Sequence, residues 1–118
     1  RGLAKYYLED YSGSLADYTS AIDLNPNDAD FFNNRGLSKS KLGDDKKAIK
    51  DYTKAIKINP AYPLAYYNRG ISKDQLENYQ GAIKDFTKAI DLDPNYTDAF
   101  INRGLSKSNI EKHLTRTN

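Results

Sequence analysis

The sequence holds 118 residues, with 18 basic and 16 acidic side chains, a net charge of +2 and no cysteine. Interspersed charge of both signs argues against a nucleic-acid or membrane field, and without cysteine there is no disulfide framework or thiolate metal site. No apolar run is long enough to span a bilayer and no signal-peptide pattern is present, so a reducing, cytoplasmic setting is the expectation.

In chain order, residues 1–9 (RGLAKYYLE) read as the second half of a helix, Asp10 to Gly13 as a turn, and residues 15–24 (LADYTSAIDL) as a second helix. Leu15, Tyr18 and Ile22 recur at helical spacing with Ala21 beside them, which makes one apolar stripe. Asn25-Pro26 stops it, because proline cannot continue a helix and biases its predecessor out of the α region. Helices are then expected at about 29–42 and 45–58, joined by Gly43-Asp44. Phe32, Gly36 and Leu42 mark the inner side of the first, and Ala48, Tyr52, Ala55 and Ile56 that of the second. The plan returns over about 63–76 and 79–92, with Pro63 in a first turn where its missing N–H costs little. A last helix runs from about Thr97 to Ile110. There the pattern stops: Arg116 stands where Ala48 and Ala82 recur, while Ile110 and Leu114, one turn apart, point to a short capping extension.

Residues 31–60 are thus written again, with edits, over residues 65–94, and the two copies agree at roughly half their positions. Arg35-Gly36 becomes Arg69-Gly70 and Arg103-Gly104, a step of 34 residues. The units are 1–28 (partial, a truncated first helix plus a second), 29–62, 63–96 and 97–118 (partial, a capping helix and tail). Because Arg1-Gly2 is in phase with Arg35-Gly36, the sequence is expected to open part-way through a repeat of a longer chain. Gly36, Gly70 and Gly104 fall mid-helix, where glycine costs about 1 kcal/mol relative to alanine. Their recurrence implies a close helix approach, against Ala48, Ala82, or Ser14 in the first copy.

Arg1, Arg35, Arg69 and Arg103 each have a lysine one turn on: Lys5, Lys39, Lys73 and Lys107. Such pairs repel slightly on an isolated helix. Asp17, Asp51 and Asp85 recur at the same period, and the expectation is a stitch between neighbouring helices: Asp17–Arg35, Asp51–Arg69 and Asp85–Arg103. The competing reading is separate solvated charges, since exposed pairs contribute little. Lys46, Lys47, Lys50, Lys54 and Lys57 form a basic stripe that reads as a solvated outer face more readily than as a site for an acidic partner or nucleic acid.

These residues resemble the tetratricopeptide repeat. An aromatic stands four residues before the glycine (Phe32, Tyr66, Phe100), followed by Ala, aromatic and Ala (Ala48, Tyr52, Ala55; Ala82, Phe86, Ala89), and Pro60 and Pro94 close the units. Two positions depart: Ser14 replaces the first alanine, and Asp45 stands where Tyr11 and Tyr79 give an aromatic, which should weaken the second unit's turn. The resemblance implies an all-α, right-handed superhelical solenoid of antiparallel helix-turn-helix repeats, about three and a half of them. It implies a non-enzymatic protein–protein interaction scaffold, holding a peptide or helical segment of another protein in a concave groove lined by the first helix of each unit.

Mapped slot by slot, that groove comprises Tyr6 and Tyr7; then Asp30, Asn33, Asn34, Leu37, Ser40 and Lys41. It continues through Leu64, Tyr67, Asn68, Ile71, Asp74 and Gln75, and ends with Asp98, Ile101, Asn102, Leu105, Ser108 and Asn109. Asn34, Asn68 and Asn102 form a ladder of amides suited to hold a peptide backbone, or equally to bond neighbouring helices and local carbonyls. Leu3, Leu37, Ile71 and Leu105 form an apolar strip that reads as groove floor or as packing between repeats. Tyr6, Tyr7 and Tyr67 combine large area with a polar tip. Some family members clamp a C-terminal carboxylate with Lys or Arg. The matching slots here hold Leu3, Asn33, Leu37, Leu64 and Asn68, with only Asn34 fitting, so a chaperone tail is disfavoured.

No cofactor, metal or catalytic constellation is expected. Asp91 to Asn95 opens like a calcium loop but has Tyr96 for the required glycine and Asn102 for the closing glutamate. Asn95-Tyr96-Thr97 is a glycosylation sequon only in a secreted setting, and His113 is a lone histidine. The alternative role is a structural self-assembly module, stacking head-to-tail or swapping helices through an apolar end face around Phe100 and Ile110.

Overall fold

The computed structural model describes the backbone of residues 3–117 and the side chains of residues 10–112 and 114. Six helices follow one another: α1 (Leu3–Leu24), α2 (Ala29–Lys41), α3 (Asp45–Ile58), α4 (Pro63–Gln75), α5 (Tyr79–Leu92) and α6 (Thr97–Thr117). No strand occurs among the described residues. The helices fall into two units, Arg1–Pro60 with α1 to α3 and Ala61–Asn118 with α4 to α6. Among the described residues no helix is long and apolar enough to cross a membrane.

Local chemistry sets the helix ends. Asp28, Asp44 and Asn78 accept hydrogen bonds from the backbone N–H groups of Asp30, Lys47 and Gly81, capping α2, α3 and α5. Pro63 opens α4, where a missing N–H is harmless. The α2–α3 and α4–α5 turns share one bonding pattern. Asp44 N–H reaches the Lys39 carbonyl and Gly43 N–H that of Ser40; Asn78 and Glu77 do the same to Lys73 and Asp74. Both are Schellman closures, which need a residue at positive φ: Gly43 at 89° and Glu77 at 64°. Asp45, expected to weaken its turn, takes a partner across it. Its carboxylate accepts a 2.8 Å bond from the Ser40 hydroxyl, tying α3 back to α2.

The turn expected at Asp10 to Gly13 does not form; α1 runs unbroken from Leu3 to Leu24. Gly13 lacks the positive φ that ends α2, and no proline interrupts the segment, so nothing local halts the helix.

Within each unit a hairpin packs around two buried aromatics. Ala48, Tyr52 and Ala55 of α3 are buried with Phe32 of α2, and Ala82, Phe86 and Ala89 of α5 with Ala65 and Tyr66 of α4. The glycines explain the fit. A β-carbon on Gly36 would stand 2.8 Å from Cε1 of Tyr52, and one on Gly70 2.7 Å from Cε1 of Phe86. The close approach is therefore made to the aromatic ring; Ala48 contributes its carbonyl oxygen at 3.1 Å from the Gly36 position, and Ala82 is not among the nearest neighbours of Gly70. The Ser14 contact expected in the first copy lies outside the described residues. At Gly104 nothing approaches within 4 Å.

The Arg–Asp stitch exists, but inside each hairpin. Arg35 bonds Asp51 through Nε (2.9 Å) and Nη2 (2.8 Å), and Arg69 bonds Asp85 with the same geometry. Lys39 and Lys73 close on the same two carboxylates at 2.9 and 3.1 Å. The expected pairs Asp17–Arg35 and Asp85–Arg103 are replaced by contacts to threonine: Arg35 to Thr19 at 3.4 Å and Arg103 to Thr87 at 3.2 Å. Both oxygens of Asp51 are engaged by Arg35 and Lys39 of its own hairpin.

Candidate functional site

In the second unit α4 and α6 both pack on α5, and they touch each other through two hydrogen bonds. Asn102 Nδ2 donates to the Tyr67 hydroxyl at 3.0 Å, and the Ser106 hydroxyl donates to Asp74 Oδ1 at 3.0 Å. These bonds hold two parallel rows of side chains in fixed register. Tyr67 is further fixed by rings: its centroid lies 5.8 Å from Phe86 and 5.0 Å from Tyr96. The result is a rigid half-buried phenol bonded to the half-buried Asn102, with half-buried Ile71 one turn along α4 and exposed Leu105 about one turn beyond Asn102 on α6.

The electrostatics of this face are acidic. Burial pushes the Asp74 carboxyl above its ordinary range, against the Ser106 bond, which lowers it. Burial, and then the charge of Asp98, raise the Tyr67 phenol, while the Asn102 bond opposes them. Tyr96 is pushed up to about 12, first by burial and then by Tyr67, Asp98 and Asp93. All three phenol and carboxyl groups therefore hold their protons more tightly than they would in water.

The other sequence-derived positions divide clearly. Gln75 is exposed and Asn109 half-buried on the same two helices. In the first unit Leu37 and Lys41 are exposed on α2 and Asn34 is half-buried, whereas Asn33 is sealed at 1% exposure. Asn68 is buried at 8%. The amide ladder is thus not one uniform row: Asn102 spends its donors on Tyr67 and on the Asp98 carbonyl, and Asn68 is largely covered. The side chains of Tyr6 and Tyr7 lie outside the described residues.

Two participants were not singled out from sequence. Ser106 holds Asp74, and Tyr96 braces Tyr67. Both carry a periodic signal, since Ser38 and Ser72 precede Ser106 in one slot and Tyr62 precedes Tyr96. Asp93, the middle acid of the calcium-like run, accepts from the backbone N–H of Asn95 and so shapes the loop. A separate hollow of about 300 Å³ lies where the last turns of α6 pass the α4–α5 turn, lined by Glu77, Asn78, Tyr79, Gln80, Ile110 and Leu114. It contains none of the groove positions.

Comparisons agree with this architecture. A family model described as tetratricopeptide repeat matches residues 63–96, and a TPR repeat model matches residues 2–43 and 40–73. The Arabidopsis OM64 TPR domain is similar with a TM-score of 0.83 and 30% identity, over 89% of this chain and 87% of that one. The first TPR of Spaghetti (RPAP3), solved bound to the HSP90 peptide SRMEEVD, has a TM-score of 0.86 and 25% identity, over 92% and 86%. The Sgt2 TPR domain from Aspergillus fumigatus shares the fold with a TM-score of 0.87 at 24% identity, over 95% and 76%. No curated protein sequence matches.

Proposed function

The chain belongs to the tetratricopeptide repeat family, and from that premise we propose that it is a non-enzymatic scaffold holding a peptide or helical segment of another protein. The face of α4 and α6 is the site. The observation that carries this reading is Tyr67, a large half-buried ring held by Phe86, Tyr96 and Asn102 beside the apolar Ile71 and Leu105. A side chain already fixed in place loses little entropy when a ligand lands on it, and an aromatic with a polar tip serves both apolar and polar contacts. Asp74 and Asp98 border the same face, and the carboxylate-clamp slots Leu64 and Asn68 carry no cation. The segment it suits is therefore apolar with basic flanks, unlike the acidic peptide held by the Spaghetti domain.

A peptide library selected against the whole chain tests this, with the binders mapped by amide shifts. Shifts on α4 and α6, lost by more than tenfold in affinity in an Ile71→Asp/Leu105→Asp variant, support the site. Binders that ignore this variant, or saturable binding of SRMEEVD at the same face, overturn it.

A further inference from the structure

Among the described residues, the repeated hairpin leaves one receiving face empty and one inserting face unused. On α2, Arg35 and Lys39 close on Asp51 while Gly36 seats the ring of Tyr52; α4 does the same for Asp85 and Phe86 of α5. The corresponding row on α6 is Phe100, Arg103, Gly104 and Lys107. Among the described residues neither of its cations meets a carboxylate. Arg103 reaches the Thr87 hydroxyl and rests over the Phe100 ring at 5.3 Å, and Lys107 is exposed. The notch at Gly104 holds no atom within 4 Å. Phe100 is 45% exposed, where its equivalents Phe32 and Tyr66 are at 8% and 9%.

The complement is on α1. Thr19 faces α2, since its hydroxyl accepts from Arg35. Asp17 lies two residues earlier, about 200° around the helix, and so points away from α2. It is exposed, and it has no partner among the described residues. Tyr18 follows it, half-buried, with Ser14 and Ala21 at the spacing by which Ala48 and Ala55 flank Asp51 and Tyr52. Thus α1 leaves partly exposed the row that α3 and α5 bury.

We infer that α1 of one molecule docks on α6 of a second copy, head to tail. Asp17 enters between Arg103 and Lys107, and Tyr18 lies on Gly104. The pair rebuilds between molecules the hairpin that α2/α3 and α4/α5 form within one. Charge identifies the occupant: among the described residues the unpaired cations are on α6 and the unpaired acid is on α1. The two patches differ, so the contact is heterologous and each added copy presents a fresh receiving face. This surface is separate from the Tyr67 face, and either can fail without the other.

Light scattering on the whole chain over a concentration series tests it, with circular dichroism checking that each variant is folded. The mass of the unaltered chain should rise with concentration to at least twice the monomer. Asp17→Arg and Arg103→Glu should each stay monomeric; Lys107→Glu replaces the latter if α6 is disturbed. An equal mixture of the Asp17→Arg and Arg103→Glu proteins should form a dimer and stop, because only one intact inserting face and one intact receiving face remain between them. A strict monomer up to about 1 mM, where even a weak contact registers, overturns the proposal. So do single variants that assemble like the unaltered chain, or a mixture that stays monomeric.

Discussion

Asp51 of α3 sits between two cations of α2, with Arg35 on both its oxygens at 2.8 and 2.9 Å and Lys39 Nζ 2.9 Å from Oδ2. The Asp51 side chain is 6% exposed and the cations 19%, so the trio is largely withdrawn from water. Two like charges one turn apart, slightly repulsive on a free helix, become a clamp once an acid from the facing helix lies between them.

Removing that acid strands both cations. Asp51→Ala should cost about 3 kcal/mol in urea unfolding. An Arg35/Asp51 double-mutant cycle should give a coupling above about 1 kcal/mol, against almost none for Arg35/Asp17. Equal coupling in the two cycles would mean the clamp carries no special stability.

The glycine slots should respond in opposite directions. In Gly70→Ala the new β-carbon meets the fully buried Phe86 ring, and overpacking of this kind costs about 1–3 kcal/mol. Gly104→Ala meets open space and gains helix propensity, up to about 1 kcal/mol. Thermal melts at low concentration decide it; melting shifts of the same sign would reject the ring-seating account.

The two Schellman turns differ at one residue. Glu77 adopts φ 64° where Gly43 adopts 89°. Glu77→Gly should therefore stabilise the chain by about 1 kcal/mol and Gly43→Ala destabilise it by a similar amount. Chemical denaturation of both variants checks the pairing, and a destabilised Glu77→Gly protein would show that its side chain matters more than its backbone.

Asp74 makes stability depend on pH. Its folded pKa is raised by burial. Its contribution is thus fully present below the ordinary carboxylate range and is lost as pH rises through the folded value. Asp74→Asn, which removes the ionisation, should gain stability relative to the unaltered chain at pH 7 and lose that advantage at acid pH. Unfolding curves at both pH values measure the difference; a gain that persists unchanged in acid would exclude the ionisation as its source.

Tyr96 should titrate late. With its phenol at about 12, absorbance titration should show a step well above the usual tyrosine value near 10, absent in Tyr96→Phe. The same shift removes stability as pH climbs from the ordinary value toward 12.

Part of the candidate face was legible in the residues. Tyr67, Ile71, Asn102 and Leu105 follow from their slots, and the structure joins Tyr67 to Asn102 by a hydrogen bond. The burial of Asn33 and Asn68 was not legible, because their slots look alike in type to the accessible ones and only packing covers them. Nor was the bracing by Tyr96 and Ser106, which depends on how α4 and α6 sit against α5.

The sequence alone determined what is local or periodic: the helices α2 to α6, the phase of the repeat and the rows each helix carries. Tertiary structure decided which rows meet. An arginine recurring in phase with an aspartate has one ahead of it and one behind, and the period is the same for both. Only the facing of helices within a hairpin selected Asp51 for Arg35 and left Thr19 as its contact on α1. Likewise, only an absent backbone reversal, with no residue of positive φ to make it, turned the expected hairpin at Gly13 into one continuous α1.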